Sequence, residues 1–410
     1  MRVVIVVEIP DEVVSVKSIE EAVSRAGREF PSLAWQAAVA EVEGRAMCQH
    51  PEGSLTVCGW EERTLWTTSG PVRFKRRRFR SSSEERSFLI FDLRAGLRSR
   101  QRTTEAADQL LAQTAAECPF AVAARFCGRV WGEAPSPMLV WHAVQRIGGR
   151  MQAGQDRLRR SVFEDGELPG WERPAPEFVG VEADSTFLGA WRGRGSAPEV
   201  YVGLSYTGKE ERHGRRRLRD KALCFGLAGS GRFGRDFFVT VQARHNVVEA
   251  ASGVFLSDGA EALRNIQREH FPRHVRQLDW AHLRRRMDEA YGPARRERSA
   301  ELLGKLYAGE REAVCREVRG EARRYRSRSE VLNELAGYLD GPGRDLYGSR
   351  RLRRSGAELP PHLNGSGGIE RNIGVLVGQR MKRRGMSWTR RGAANLLAVR
   401  QDLLARLNAS

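Results

Sequence analysis

The chain has 410 residues and carries 69 Lys+Arg against 51 Asp+Glu, a formal net charge of +18. That length accommodates two or three domains with a proper core, and the charge favours a polyanionic partner, nucleic acid ahead of acidic lipid. The longest N-terminal apolar run, Val3 to Val7, is too short for a signal segment or a spanning helix, so no membrane partner is expected and a cytoplasmic, nucleoid-associated protein is.

The first segment, 1–100, reads as a short strand, a helix from Ser18 to Arg45, and a hairpin. Thr64–Thr68 and Val72–Arg80 flank a Ser69-Gly70-Pro71 turn. The second strand holds Lys75, Arg76, Arg77 and Arg78 and is too basic for a core. It is either a solvated edge strand or, the favoured reading, a ribbon that contacts phosphates. Cys48, His50 and Cys58 could be half of a zinc site, but a structural site needs four ligands and no second pair follows, so no zinc is expected. Six cysteines without a CxxC pair fit reduced thiols.

Segment 101–163 is helical. One amphipathic helix opens at Thr104, a second spans Cys118 to Val130, and Ser136 caps a third with Pro137 at its first position. Three such helices form either a helix-turn-helix or a plain three-helix packing; in the former, Arg146 and Arg150 contact phosphates. Glu164 to Pro176 reads as a linker.

Segment 177–284 is the β-rich part. Strands are predicted at Phe178–Asp184, Pro198–Ser205, Ala222–Gly226, Gly253–Leu256 and Val275–Leu278. Helices fall near Gly234–Asn246 and up to His270, which makes a mixed α/β sheet. Segment 285–358 reads as an all-α insertion. Segment 359–410 returns with a helix carrying Glu370 and a last amphipathic helix, Arg391–Leu407.

Asp184 and Asp258 each end a strand, where open α/β sheets place their sites. If those strands are adjacent and parallel, the carboxylates project together and call for a cation between them. Mg²⁺ fits oxygen ligands, with Mn²⁺ as the alternative, and Glu370 would complete a site for two metals about 3.5–4 Å apart. Against this, an Asp at a strand end is most often a turn residue. Glu182 is set aside as facing the other side of the sheet from Asp184. Asp279 and His282 form D-x-x-H, which is either a helix cap with an incidental His or an auxiliary pair beside the acids.

Val181-Glu182-Ala183-Asp184, Leu256-Ser257-Asp258-Gly259-Ala260, Leu278-Asp279-Trp280-Ala281-His282-Leu283 and Gly367-Gly368-Ile369-Glu370 occur in that order. With the tail Arg380-Met381-Lys382-Arg383-Arg384-Gly385-Met386-Ser387-Trp388, the chain resembles the ISLre-type insertion-sequence transposases, related to the Mutator-like DDE group. The resemblance implies an RNase H-like catalytic core with Asp184, Asp258 and Glu370 as metal-holding triad, a helical insertion before the Glu, and Asp279 and His282 as a signature pair. It implies double-stranded DNA as partner, both element ends and target, and a homo-oligomer on that DNA. Arg380, Lys382, Arg383 and Arg384 then grip the backbone, or else form a solvated basic face. The chain departs from the family in its few N-terminal cysteines and in Phe187-Leu188-Gly189-Ala190-Trp191. The rival expectations are a domesticated, non-catalytic DNA-binding protein and a nuclease without strand transfer.

Overall fold

The computed structural model describes residues 15–82, 86–190, 196–212, 214–345, 368–382 and 386–409. The chain divides into two compact units, Met1–Ile147 and Gly148–Ser410. The expected N-terminal strand, Arg383 and Arg384 lie outside the described residues.

In the first unit, helix α1 (Val16–Gln49) starts at a reciprocal cap in which Ser15 accepts the Ser18 N–H at 3.1 Å. The hairpin forms as read, from β1 (Leu55–Thr67) and β2 (Gly70–Ser81), and β3 (Ser87–Phe88) adds to it in the order β1-β2-β3. This corrects the edge-strand alternative, because β2 is the central strand. Its alternate residues Val72 and Phe74 are buried with Leu65 of β1, Val39 of α1 and Phe91. The basic run is countered from neighbouring elements. Lys75 lies 3.5 Å from Glu62, Arg77 lies 3.4 Å from Glu43, and Arg78 pairs with Glu61. Arg76 is a second correction: its side chain is only 2% exposed and pairs with Asp92 and Glu61, so it is a buried structural cation rather than a phosphate contact.

After α2 (Ile90–Ala95) come α3 (Glu105–Glu117), α4 (Phe120–Trp131) and α5 (Pro137–Phe163). Thr104 accepts the Ala107 N–H and Ser136 the Leu139 N–H, each at 3.1 Å, so both caps are where the sequence puts them. Arg146 is exposed and paired within this unit. Its guanidinium forks onto Asp108 at 2.6 and 2.7 Å and reaches Thr103 at 2.9 Å, which ties α5 to the start of α3. Arg150 is exposed.

The second unit is built on a five-stranded sheet in the order β10-β9-β4-β5-β8: β4 (Phe178–Phe187), β5 (Glu199–Tyr206), β8 (Ala222–Gly226), β9 (Ser252–Ser257) and β10 (Val275–Leu278). β5 runs antiparallel to both β4 and β8, whereas β9 and β10 run parallel to β4. A small hairpin, β6 (Gly208–Arg212) and β7 (Arg215–Arg219), was not read from the sequence. Helices α6 (Ser230–His245) and α7 (Glu261–His270) cover one face of the sheet, where Val179, Val181 and Ala183 pack against Phe233, Phe237 and Ile266. The even-numbered residues of β4 therefore face the other side.

The insertion forms as α8 (Trp280–Tyr291), α9 (Arg296–Ala308), α10 (Arg311–Arg324) and α11 (Ser329–Asp340). It holds its own core, with Leu283, Met287, Leu302, Val314 and Leu335 buried together. The chain then supplies α12 (Gly368–Ile373), a π-helical stretch Gly374–Lys382, and α13 (Arg390–Ala409). Arg400 of α13 donates to two carbonyls of the π-helical stretch, Leu376 O at 2.8 Å and Val375 O at 2.5 Å, from a buried position.

Candidate active site

The register of β4 on β9 runs from Phe178↔Ser252 to Glu182↔Leu256. Two residues further along both strands stand Asp184 and Asp258. The register of β10 on β9 ends at Leu278↔Ser257, and the next residues are Asp279 and, again, Asp258. Three aspartates thus stand at the same level on three adjacent parallel strands, which the sequence reading had seen only as a pair. Asp258 and Asp279 follow the ends of β9 and β10, whereas β4, expected to end at Asp184, runs on to Phe187.

Each aspartate is fixed locally. Asp184 Oδ1 accepts the Ser185 N–H at 2.7 Å, and Asp258 Oδ1 accepts the Ala260 N–H at 2.9 Å. The Tyr338 hydroxyl, from the insertion, donates to the Asp258 carbonyl at 2.8 Å. Asp279 is buried, caps α8 by accepting the Ala281 N–H at 3.0 Å, and holds His282 Nδ1 at 2.8 Å. The other ring nitrogen, Nε2, lies 3.8 Å from Asp184 Oδ2. Asp279 therefore caps the helix and holds the His at the same time. With Nδ1–H donated to Asp279, the imidazole presents its Nε2 edge to Asp184.

The electrostatics follow from this crowding. Burial raises the Asp184 carboxyl above its ordinary value; Ser185 and His282 oppose the rise, while Asp258 and Asp279 add to it. The Asp279 hydrogen bond raises His282, burial works against it, and the charge of Asp184 adds to the rise. Negative charge accumulates here and the site is receptive to a cation.

Glu182 was set aside wrongly. Residues two apart on a strand share a face, and Glu182 lies on the same face as Asp184, beneath α12. Its carboxylate accepts the Tyr206 hydroxyl at 2.9 Å and the Ile369 N–H at 2.8 Å. It is fully buried, and that burial raises its carboxyl. A side chain on Gly368 would meet Leu204 and Glu182 at 2.9–3.1 Å, so glycine allows α12 to sit this close to the sheet. Glu182 thereby seats the turn that carries Glu370.

Glu370 itself is not gathered with the aspartates. Its carboxylate lies 2.5 Å from Arg285 Nη2, and among the described residues no three His, Cys, Asp or Glu side chains converge to hold a metal ion. The expected three-carboxylate group is thus unassembled in this arrangement. The donor set of the aspartates still suits Mg²⁺, because carboxylate oxygens from neighbouring strand ends are hard ligands and their mutual repulsion would be relieved by it. Lys382 donates to the Thr186 hydroxyl, two residues past Asp184. Arg380, by contrast, is 3% exposed, with its guanidinium 5.5 Å from the centre of the Trp388 ring, so it is not available to a DNA backbone. This is a further correction: Arg380 belongs to the buried side of the π-helical stretch, with Leu376, Val377 and Met381.

The model of one family matches residues 10–406, nearly the whole chain. The chain belongs to the uncharacterised protein family UPF0236. No curated protein matches it. The match of this UPF0236 chain spans all three aspartates, His282, Arg285 and Glu370.

A second constellation was not anticipated. Ser205 Oγ lies 3.0 Å from His245 Nε2, and His245 Nδ1 lies 3.3 Å from Asp220 Oδ2. The order resembles a hydrolase triad. Ser205 is fully buried, however, and the His245 side chain has no exposure, so no acyl substrate reaches the hydroxyl. The array ties β5 to the end of α6.

Proposed function

We propose that the protein is a DNA transposase of the ISLre type, with the five-stranded sheet as an RNase H-like core and Asp184, Asp258 and Glu370 as its metal-holding acids. The observation that carries this reading is the level placement of Asp184 and Asp258 on adjacent parallel strands, with the Asp279–His282 pair beside them. The net charge of +18 supports a nucleic-acid partner.

In this reading Asp184 and Asp258 would hold Mg²⁺, and Glu370 would join them once it leaves Arg285. When bound, the metal would supply activation of the attacking oxygen and charge stabilisation at the leaving oxygen. His282, oriented by Asp279, steadies the Asp184 carboxylate. Lys382 stands at the rim by Thr186, where it can neutralise a backbone phosphate. In the first displacement a water oxygen bonds to phosphorus and the bond to the 3′-oxygen breaks, leaving a 3′-OH and a 5′-phosphate. In the second, that 3′-OH attacks a target phosphodiester and expels a target 3′-oxygen. Both exchange one P–O bond for another, so the second needs no external energy source.

The test is strand joining with Mg²⁺ and a duplex bearing the terminal sequence that flanks the gene. Joining by the wild type that Asp258→Asn abolishes supports the reading. Cleavage without joining of a pre-cut 3′-OH end would indicate a nuclease, and DNA binding with neither would indicate a non-catalytic binder.

A further inference from the structure

Glu370 is already neutralised by a guanidinium, with Arg285 Nη2 at 2.5 Å. Both side chains face solvent, Arg285 at 56% and Glu370 at 40% exposure. Arg285 follows His282 by three residues on α8, so the two lie on one side of that helix. The helix that touches Asp184 through His282 therefore also holds Glu370. A guanidinium carries five N–H donors and forks onto phosphate as readily as onto carboxylate. An exposed ion pair is weak, so exchange of one anion for another is easy.

We infer that Arg285 is a latch, holding Glu370 away from Asp184 and Asp258 until a DNA phosphodiester takes its guanidinium. DNA binding and completion of the carboxylate site are then coupled. This rests on the metal-dependent reading of the aspartates given above. Arg285 acts here as a positioning residue, through Glu370. Because binding couplings are reciprocal, DNA should tighten the metal and the metal should tighten DNA.

The experiment is Mn²⁺ binding to the full chain, read from the paramagnetic resonance of free Mn²⁺, with and without a duplex oligonucleotide. Without DNA, Arg285→Ala and Arg285→Gln are each expected to bind Mn²⁺ about two- to fivefold more tightly than wild type, the strength of an exposed ion pair. DNA should tighten Mn²⁺ on the wild type and do little for either variant. In a Glu370→Gln background the Arg285 substitutions should have no effect, which closes a double-mutant cycle on the pair. Unchanged Mn²⁺ affinity in both variants overturns the latch. So does an equal gain with and without Glu370, since that is loss of positive charge alone. Asp184→Asn separates the two levels: Mn²⁺ binding that ignores Asp184 defeats the metal reading and the latch with it, while binding that needs Asp184 but ignores Arg285 defeats only the latch.

Discussion

Glu182, buried in β4, accepts the backbone N–H of Ile369 at 2.8 Å, one residue before Glu370. Through this bond the strand that carries Asp184 also seats the helix of an acid 186 positions downstream in the sequence. The same carboxylate takes the Tyr206 hydroxyl. Two donors on different elements therefore depend on one side chain.

Glu182→Ala should leave both donors buried without a partner. Each such group costs about 1–3 kcal/mol, so urea unfolding should show a loss of roughly 2–5 kcal/mol. Glu182→Gln keeps an oxygen for Ile369 and should lose much less. Equal losses in the two variants would mean that packing, not hydrogen bonding, sets the cost.

In the proposed function Asp279 and His282 orient Asp184 rather than react. Replacing either (Asp279→Asn or His282→Gln) should lower strand joining about 10–100-fold, the usual effect of changing a residue that orients a ligand. DNA binding, measured separately by fluorescence anisotropy, should not move. A drop as deep as that of Asp184→Asn would place His282 among the reacting groups instead.

The fold was legible in the sequence wherever local pattern decides it. The strand that stops just before Asp258, the Ser136 cap and the helical insertion all rest on short-range signals of alternation, capping and breaks, whereas β4 runs past its expected end at Asp184 to Phe187. The sequence did not disclose what the tertiary structure adds. Arg76 and Arg380 look like their neighbours in a basic run, yet each is drawn inward, beside Asp92 or the Trp388 ring. Composition cannot distinguish such a cation from a solvated one. Arg285 was invisible for the same reason, being one of three consecutive arginines, and only the helix register selects it. Asp279 as the third level aspartate needed the β9–β10 register. Glu182 could have been found, because positions two apart on a strand share a face.

Arg400 should be intolerant of lysine. Its fork donates to two carbonyls of the π-helical stretch, and hydrogen bonds from a charged group contribute about 1.5–3 kcal/mol each. Arg400→Lys cannot reproduce the fork. A stability loss on the order of 2 kcal/mol is expected in chemical denaturation, and an unchanged midpoint would contradict it.

Acid should weaken the second unit through His274. Burial pushes its imidazole down to about 4, and it packs edge-on against Phe271. Unfolded, the ring titrates near about 6.5. The folded state thus binds fewer protons, so the contribution is complete above about pH 6.5, declines as pH falls, and is gone near pH 4. The loss over that window is on the order of 3 kcal/mol. Urea melts at several pH values should show this slope in the wild type and a shallower one in His274→Leu. Identical slopes would assign acid sensitivity to other groups.

The most direct measurement of the central claim is joining of a pre-cut, 3′-OH-ended duplex of the gene's flanking terminal sequence to target DNA with Mg²⁺. Wild-type protein should join it. Asp184→Asn and Asp258→Asn should each fall by more than about 100-fold, beyond the range for an orienting residue, while retaining DNA affinity. Joining that persists undiminished in Asp258→Asn, or wild-type protein that binds the duplex and never joins it, would contradict the account.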